Sequence, residues 1–455
     1  MHSSVSLDGR HFECLVPVDE LELRVGSYVD VDGRLGYVTS VRPADDRRIA
    51  RVEGRLLEGA DPFGETPTRS AAAGEVARWL EGARPDRAAL EVGSLTYADG
   101  VPLVLDAGAF DRHTFLCGQS GSGKTYALGT ILERLLAETS LRIVVLDPNS
   151  DFVRLGELRD DVDGEARSRY EPAAAGVDVR RAGDGPDRLH VRFRTFDGTE
   201  QAAVLRLDPI DDREEYAALV EAVEQADGNE IATVRETVDQ LAERPEPWHS
   251  LGVRARNLGV DRWQIWSGAD GGSLEELVQP GGSRCLVADL GSLATREEQA
   301  VAAEALLAAL WRRRAIREPM LIVIDEAHNV CPARPEDPLT ALATEHAVRI
   351  AGEGRKFGLV LLVATQRPQK VNENVVSQCD NLILMRMNSR SDLAQLEETF
   401  SFVPSPVLGL ATEFRQGEAV VAGKLVPSPT LARFGPRWSV EGGSDVPADW
   451  AAVRS

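Results

Sequence analysis

The sequence predicts an α/β protein with a mostly parallel sheet at its core, preceded by a small N-terminal β-barrel and interrupted by a mostly helical insertion. Three observations carry that reading. After residue 106, short apolar runs alternate with stretches of helical spacing, the pattern of a doubly wound sheet. Residues up to 106 alternate apolar and polar at period two, with turn signals between the runs. An acidic stretch, 153–283, then breaks the core alternation with Glu-rich segments at helical spacing.

Taken in order, Tyr28-Val-Asp-Val31 and Arg34 to Val41 flank Asp32-Gly33, a strong hairpin signal. Arg48 to Leu57 offers another strand, with a glycine suited to a bulge or bend, and such short strands point to a barrel over 1–106. Ala71 to Gly82 reads as a short helix, and Val101 to Leu105 leads into the core, assigned to 107–152 and 284–436. Its strands are His113 to Cys117, Leu141 to Asp147, Arg284 to Asp289, Pro319 to Asp325, Leu359 to Thr365 and Asn381 to Arg386. Its later helices are Arg296 to Arg314 and Leu339 to Gly352. The basic end Trp311-Arg-Arg-Arg314 suits a helix C-terminus and needs no further role.

Within the insertion, Leu189 to Phe196 and Ala203 to Leu207 alternate like a hairpin. Asp211 to Ala226 and Ile231 to Ala242 read as helices, and Gly268 to Gly272 as a loop. The tail, 437–455, is polar, with Trp450 as a docking point.

The 455 residues carry a net charge of −22, which excludes a global basic field; any nucleic-acid contact must use local patches. The basic residues are almost all Arg, the lysines being Lys124, Lys356, Lys370 and Lys424. Five scattered cysteines without C-x-x-C spacing read as reduced core residues of a cytoplasmic protein. No apolar run approaches the roughly 20 residues that span a bilayer. The expectation is a soluble chain without a membrane partner.

The chemistry centres on Gly118-Gln-Ser-Gly-Ser-Gly-Lys124-Thr125, a G-x-x-x-x-G-K-T loop between a strand and a helix. In that setting, backbone N–H groups of Gly118, Ser120, Gly121, Ser122 and Gly123 cradle phosphate, and the helix dipole adds to their pull. Lys124 reaches the β- and γ-phosphates and Thr125 ligates Mg²⁺, so the cofactors expected are ATP and Mg²⁺. Downstream, the apolar run Met320 to Ile324 ends in Asp325-Glu326. Asp325 suits Mg²⁺ held through water, and Glu326 suits a general base that polarises water. Gln366, after the strand ending at Thr365, is placed to sense the γ-phosphate; a plain turn residue before Pro368 is the alternative. Arg355 and Lys356 lie between Gly354 and Gly358, read as a loop. Arg355 suits an arginine finger acting on a neighbouring subunit's ATP, against a surface ion pair with Glu353.

At these residues the chain resembles the HerA family of DNA-translocating ATPases, within the larger group that includes FtsK. The resemblance rests on Arg112 to Thr125, Leu146 to Phe152, Val323 to Asn329, Gly354 to Gly358, Ala364 to Pro368 and Gly417 to Gly423, in family order. It implies a RecA-like P-loop NTPase core behind a small barrel. It also implies a homo-oligomeric, hexameric ring that moves double-stranded DNA through its channel, with a NurA-like nuclease or a sirtuin-like or other effector as partner. DNA repair and antiviral defence are both implied settings. Two departures stand out: the family's His-Gly-Glu-Tyr after the second strand is Asn149-Ser-Asp151-Phe152 here, and 153–283 carries no family motif. Arg349, Arg355, Lys356, Arg367, Lys370, Arg386 and Arg390 are candidates for the channel, or ordinary surface charge. An ATP-gated assembly platform and a coupling ATPase of conjugation or secretion remain the competing readings.

Overall fold

The computed structural model describes residues 2–59, 61–226, 234–266 and 273–443. The loop at 268–272, the start of the helix expected from Ile231, and Trp450 lie outside these residues. Contacts divide the chain into two units. The first comprises the chain up to Leu141, Ala327–Arg334 and Val348–Arg437; the second comprises Arg142–Glu326, Pro335–Ala347 and the chain from Trp438.

The first unit begins with six strands: β1 His2–Ser6, β2 His11–Pro17, β3 Tyr28–Val31, β4 Arg34–Pro43, β5 Ile49–Leu56 and β6 Phe63–Ser70. They close into a barrel in the order β1-β2-β5-β4-β3-β6. Asp32 and Gly33, at φ 51° and 82°, make the two-residue turn between β3 and β4, as their left-handed preference demands. Phe12, Val16, Val29, Val31, Val38 and Val52 fill the barrel. The glycine expected to bend β5, Gly54, instead makes room: a Cβ there would lie 2.1 Å from the Phe12 ring. The irregularity falls on the facing strand, between Val38 and Ser40.

The barrel strands end at Ser70. The hairpin β7 Ala89–Leu95 and β8 Pro102–Asp106 pairs instead with the sheet, through β17 Thr430–Phe434. Within this unit the sheet runs β14 (Leu359–Thr365), β9 (Thr114–Cys117), β15 (Asn381–Met385), β16 (Glu418–Ala422), β17, β7, β8. It is parallel from β14 to β15 and antiparallel beyond. The helix Lys124–Glu138 follows β9 and is fastened by buried charge: Glu133 accepts from Arg134 at 3.1 Å and from Arg437 Nε at 3.2 Å.

The second unit holds four parallel strands, β11 (Val177–Arg180), β12 (Cys285–Asp289), β10 (Arg142–Asp147) and β13 (Met320–Ile324), in that order. β10, β12 and β13 are buried at nearly every residue, which is why they read as continuous apolar runs. The edge strand β11 is four half-buried residues, Val-Asp-Val-Arg, too short and polar to register in the sequence. The hairpin expected at Leu189 to Leu207 does not form. Phe193–Thr195 is a 3₁₀ turn and Gly198–Val204 an α-helix. A reciprocal cap decides it: Asp197 accepts from the Thr199 and Glu200 N–H groups, and Glu200 accepts from the Asp197 N–H. The helix Arg296–Arg312 opens on a similar box between Thr295 and Glu298. All five cysteines are free and buried. Among the described residues, no helix is long and apolar enough to cross a membrane.

Candidate nucleotide site

Strand β9 is wholly buried and delivers Gly118 to the C-terminal edge of the parallel strands. Tertiary neighbours hold the loop that follows. The Gly118 N–H donates to the Thr365 carbonyl at 3.3 Å and the Gln119 N–H to the Arg386 carbonyl at 2.9 Å. Gly417 donates to the Ser122 carbonyl at 2.8 Å. The Gln119 side chain accepts from the Asn388 N–H at 3.1 Å, and Arg386 Nη2 donates to the Gly121 carbonyl at 3.0 Å. Gly121 and Gly123 sit at φ 71° and 95°, the left-handed region that disfavours a side chain. A Cβ on Gly118 would lie 2.6 Å from Ser122 Oγ and 2.8 Å from Met385 Cβ. Such a cradle, with two left-handed glycines and no room for a Cβ at Gly118, fits a phosphate chain. Lys124 opens the helix, buried to 5% exposure, with Thr125 half-buried beside it. Ser120 and Gly121 are exposed at the mouth.

Gln366 follows the buried Thr365, whose hydroxyl accepts from the Arg367 N–H at 3.0 Å and lies 3.1 Å from His328 Nδ1. Thr365 thereby anchors both the loop, through its carbonyl, and the turn that presents Gln366.

In the second unit the register Leu146↔Ile324 and Asp147↔Asp289 sets Asp147, Asp289 and Asp325 at the C-terminal ends of three adjacent strands. All are buried, as is Glu326 at 3% exposure. Glu326 has φ 42°, an uncommon conformation for a residue with a side chain and one that cores retain at sites of function. Burial pushes the Asp147 carboxyl up to about 7; the Phe152 and Asp151 N–H groups oppose the rise, and the Asp325 charge adds to it. A buried carboxyl with raised proton affinity beside other carboxylates suits a cation. Among the described residues no three His, Cys, Asp or Glu side chains make a ready metal cage. That donor set fits Mg²⁺, which takes one or two carboxylates and completes its shell with water and phosphate. In the departing loop, Asp151 supports Asp147 through its backbone, and Ser150 donates to Asp289 at 2.6 Å.

Arg355 stands elsewhere. It lies in a 3₁₀ turn, Gly354–Phe357, rather than an open loop, and its ion-pair partner is Asp380, at 3.2 Å, rather than Glu353. Arg112 joins the same carboxylate at 3.5 Å. Asp380 precedes β15, whereas Arg386 at the phosphate loop follows it. Five strand residues separate these ends by roughly 16 Å. Arg386, Asn388 and Thr365 as loop supports escaped the sequence reading; only their place at strand ends beside the glycine loop signals them.

The profile of the family described as "Helicase HerA, central domain" matches residues 90–261. A Sulfurisphaera tokodaii protein named DNA double-strand break repair helicase HerA is 35% identical over 123 residues, covering 27% of this chain and 24% of that protein. The Pyrococcus furiosus protein of the same name is 23% identical over 408 residues, covering 76% of this chain and 69% of the relative. The chain is similar to the HerA helicases over most of its length. Among solved structures, VirB4 of Thermoanaerobacter pseudethanolicus superposes over 78% of this chain and 97% of its own, with a TM-score of 0.52 and 18% identity, a likeness of fold. The match to the HerA profile runs through 153–261. Residues 153–261 of the stretch read as an insertion thus fall within that match.

Proposed function

We propose that this chain is an ATP-hydrolysing, ring-forming translocase or helicase of double-stranded DNA, working with a nuclease or other effector in end processing or defence. The observation that carries the reading is the phosphate cradle Gly118 to Thr125, with its left-handed glycines and buried Lys124, in a chain similar to the HerA helicases. The names of its relatives, repair helicases, supply the DNA.

In this reading the loop N–H groups and Lys124 bind the β- and γ-phosphates. Thr125 and Asp325 hold Mg²⁺, which supplies charge neutralisation at the phosphates when bound. Glu326 orients water and accepts its proton; Gln366 senses the γ-phosphate. Arg355 completes the site of a neighbouring subunit. The distance along β15 supports the neighbour rather than its own loop, since an arginine side chain does not bridge it.

The test is ATP turnover by purified protein with and without duplex DNA and partner. Turnover at or below that of Lys124→Ala in every condition sinks the motor reading. A second reading is an ATP-gated platform for a partner effector; the net charge of −22, which offers DNA no general attraction, favours it. Stimulation of turnover by DNA, together with displacement of a bound roadblock, decides for the motor.

A further inference from the structure

We propose that Arg386 is a positioning residue of the phosphate loop rather than a DNA contact. The inference rests on the reading of that loop as the nucleotide site. By sequence alone Arg386 is one of seven cations available to a channel. The fold gives it another place. It directly follows β15, the parallel neighbour of β9, so its backbone meets the loop that β9 feeds.

Two hydrogen bonds join this one residue to the loop. Its carbonyl accepts the Gln119 N–H at 2.9 Å, and its Nη2 donates to the Gly121 carbonyl at 3.0 Å. The second bond acts on a single peptide plane. On its far side, the Ser122 N–H of that plane donates to the Gln119 carbonyl at 3.1 Å. Arg386 and Gln119 thus hold the Gly121–Ser122 peptide from both ends. Gly121 stands at φ 71° and has no side chain to restrict it, so without such a hold its peptide has more orientations open than at any branched residue. A phosphate cradle works by presenting N–H groups already aimed; a loop that must order itself on binding loses affinity.

The guanidinium is also suited to remain there. It is half-buried, and among the described residues its buried Nε has no hydrogen-bond partner and no carboxylate forms an ion pair with it. Its positive charge therefore stays unneutralised beside a loop that receives phosphates. A neutral donor at this position would hold the peptide but not contribute that field.

The experiment uses the full chain and a fluorescent ATP analogue with Mg²⁺, alongside steady-state turnover and duplex-DNA binding over a salt series. Arg386→Ala is expected to weaken nucleotide binding about tenfold, as loss of a charge-assisted bond does. KM should rise in step, with kcat within about twofold. Arg386→Lys, which restores one charged donor, should recover part of the affinity. Arg386→Gln should recover less, because it restores the donor alone. DNA affinity and its salt dependence should match the unsubstituted chain in all three. Unchanged nucleotide affinity in Arg386→Ala overturns the proposal. So does a loss of DNA affinity with a salt slope reduced by about one phosphate contact. If the unsubstituted chain binds the analogue no better than Lys124→Ala, the loop reading itself fails, and this inference with it.

Discussion

Arg355 Nη1 lies 3.2 Å from Asp380 Oδ2, at the end of β15 opposite the phosphate loop. Both side chains are more than a third exposed, so the pair itself contributes little stability. Its significance is positional: an exposed arginine is held away from its own loop, as the proposed finger for another copy requires. Arg355→Ala should therefore bind ATP normally and lose turnover by about a thousandfold, as removal of an arginine finger does. Mixing it with Lys124→Ala subunits should restore part of the activity, because each mixed interface then has a chance of one intact loop and one intact arginine. Full turnover by Arg355→Ala alone would rule out the finger.

Glu326 is the residue whose loss should separate binding from chemistry. Glu326→Gln keeps shape and a hydrogen-bonding end but cannot accept a proton. Nucleotide affinity should be retained, with turnover reduced by at least about a hundredfold. A rate within a few-fold of the unsubstituted chain would move the general base elsewhere, with the buried Asp147 a candidate.

His113 predicts a pH dependence of stability. Its Nδ1 accepts the Leu361 N–H at 2.9 Å, and burial lowers its pKa from the ordinary 6.5 to about 4, with the Ala351 carbonyl and Asp380 opposing. Because the folded value lies below the unfolded one, the contribution is complete above pH 6.5. It is lost as pH falls from 6.5 towards 4, where the unfolded chain takes up the proton first. The full span corresponds to roughly 3 kcal/mol. In thermal unfolding between pH 7 and 4.5, His113→Gln should have a flatter profile than the unsubstituted chain. Parallel profiles would assign the acid sensitivity to other groups.

Glu133 is buried completely, between Arg134 and Arg437. Glu133→Gln removes a buried negative charge that both cations contact. A loss of about 3 kcal/mol in denaturant unfolding is expected. If stability is unchanged, the two arginines are solvated or paired in a way the static geometry does not require.

Much of the core was legible before any coordinates. β9, β10, β12, β13, β14 and β15 are buried on both faces, so each reads as a compact apolar run ending in polar residues. The hairpin at Asp32-Gly33 was legible because its turn demands left-handed residues. The Leu189 to Leu207 segment misled because period-two alternation there competes with an Asp197–Glu200 cap, and the cap wins locally. The span 1–106 was drawn as one barrel, yet β7 and β8 pair with the sheet, because alternation identifies a strand but not the sheet it joins.

The same limit applies to the candidate site. Glycine spacing, one lysine and a pair of adjacent carboxylates are local signals, since each acts through its own backbone or its own strand end. They therefore stand in the one-dimensional chain: a phosphate loop and an Asp-Glu strand end are readable from residue order. Which side chains hold that loop is a different kind of fact. Arg386 lies 265 residues from Gly121, and Asp380 lies 268 residues from Arg112. Their roles follow from β15 lying beside β9, and strand neighbours are chosen by burial and pairing across the whole sheet. Two arginines that look alike in sequence thus part company: one supports the phosphate loop and the other waits at the far end of the same strand.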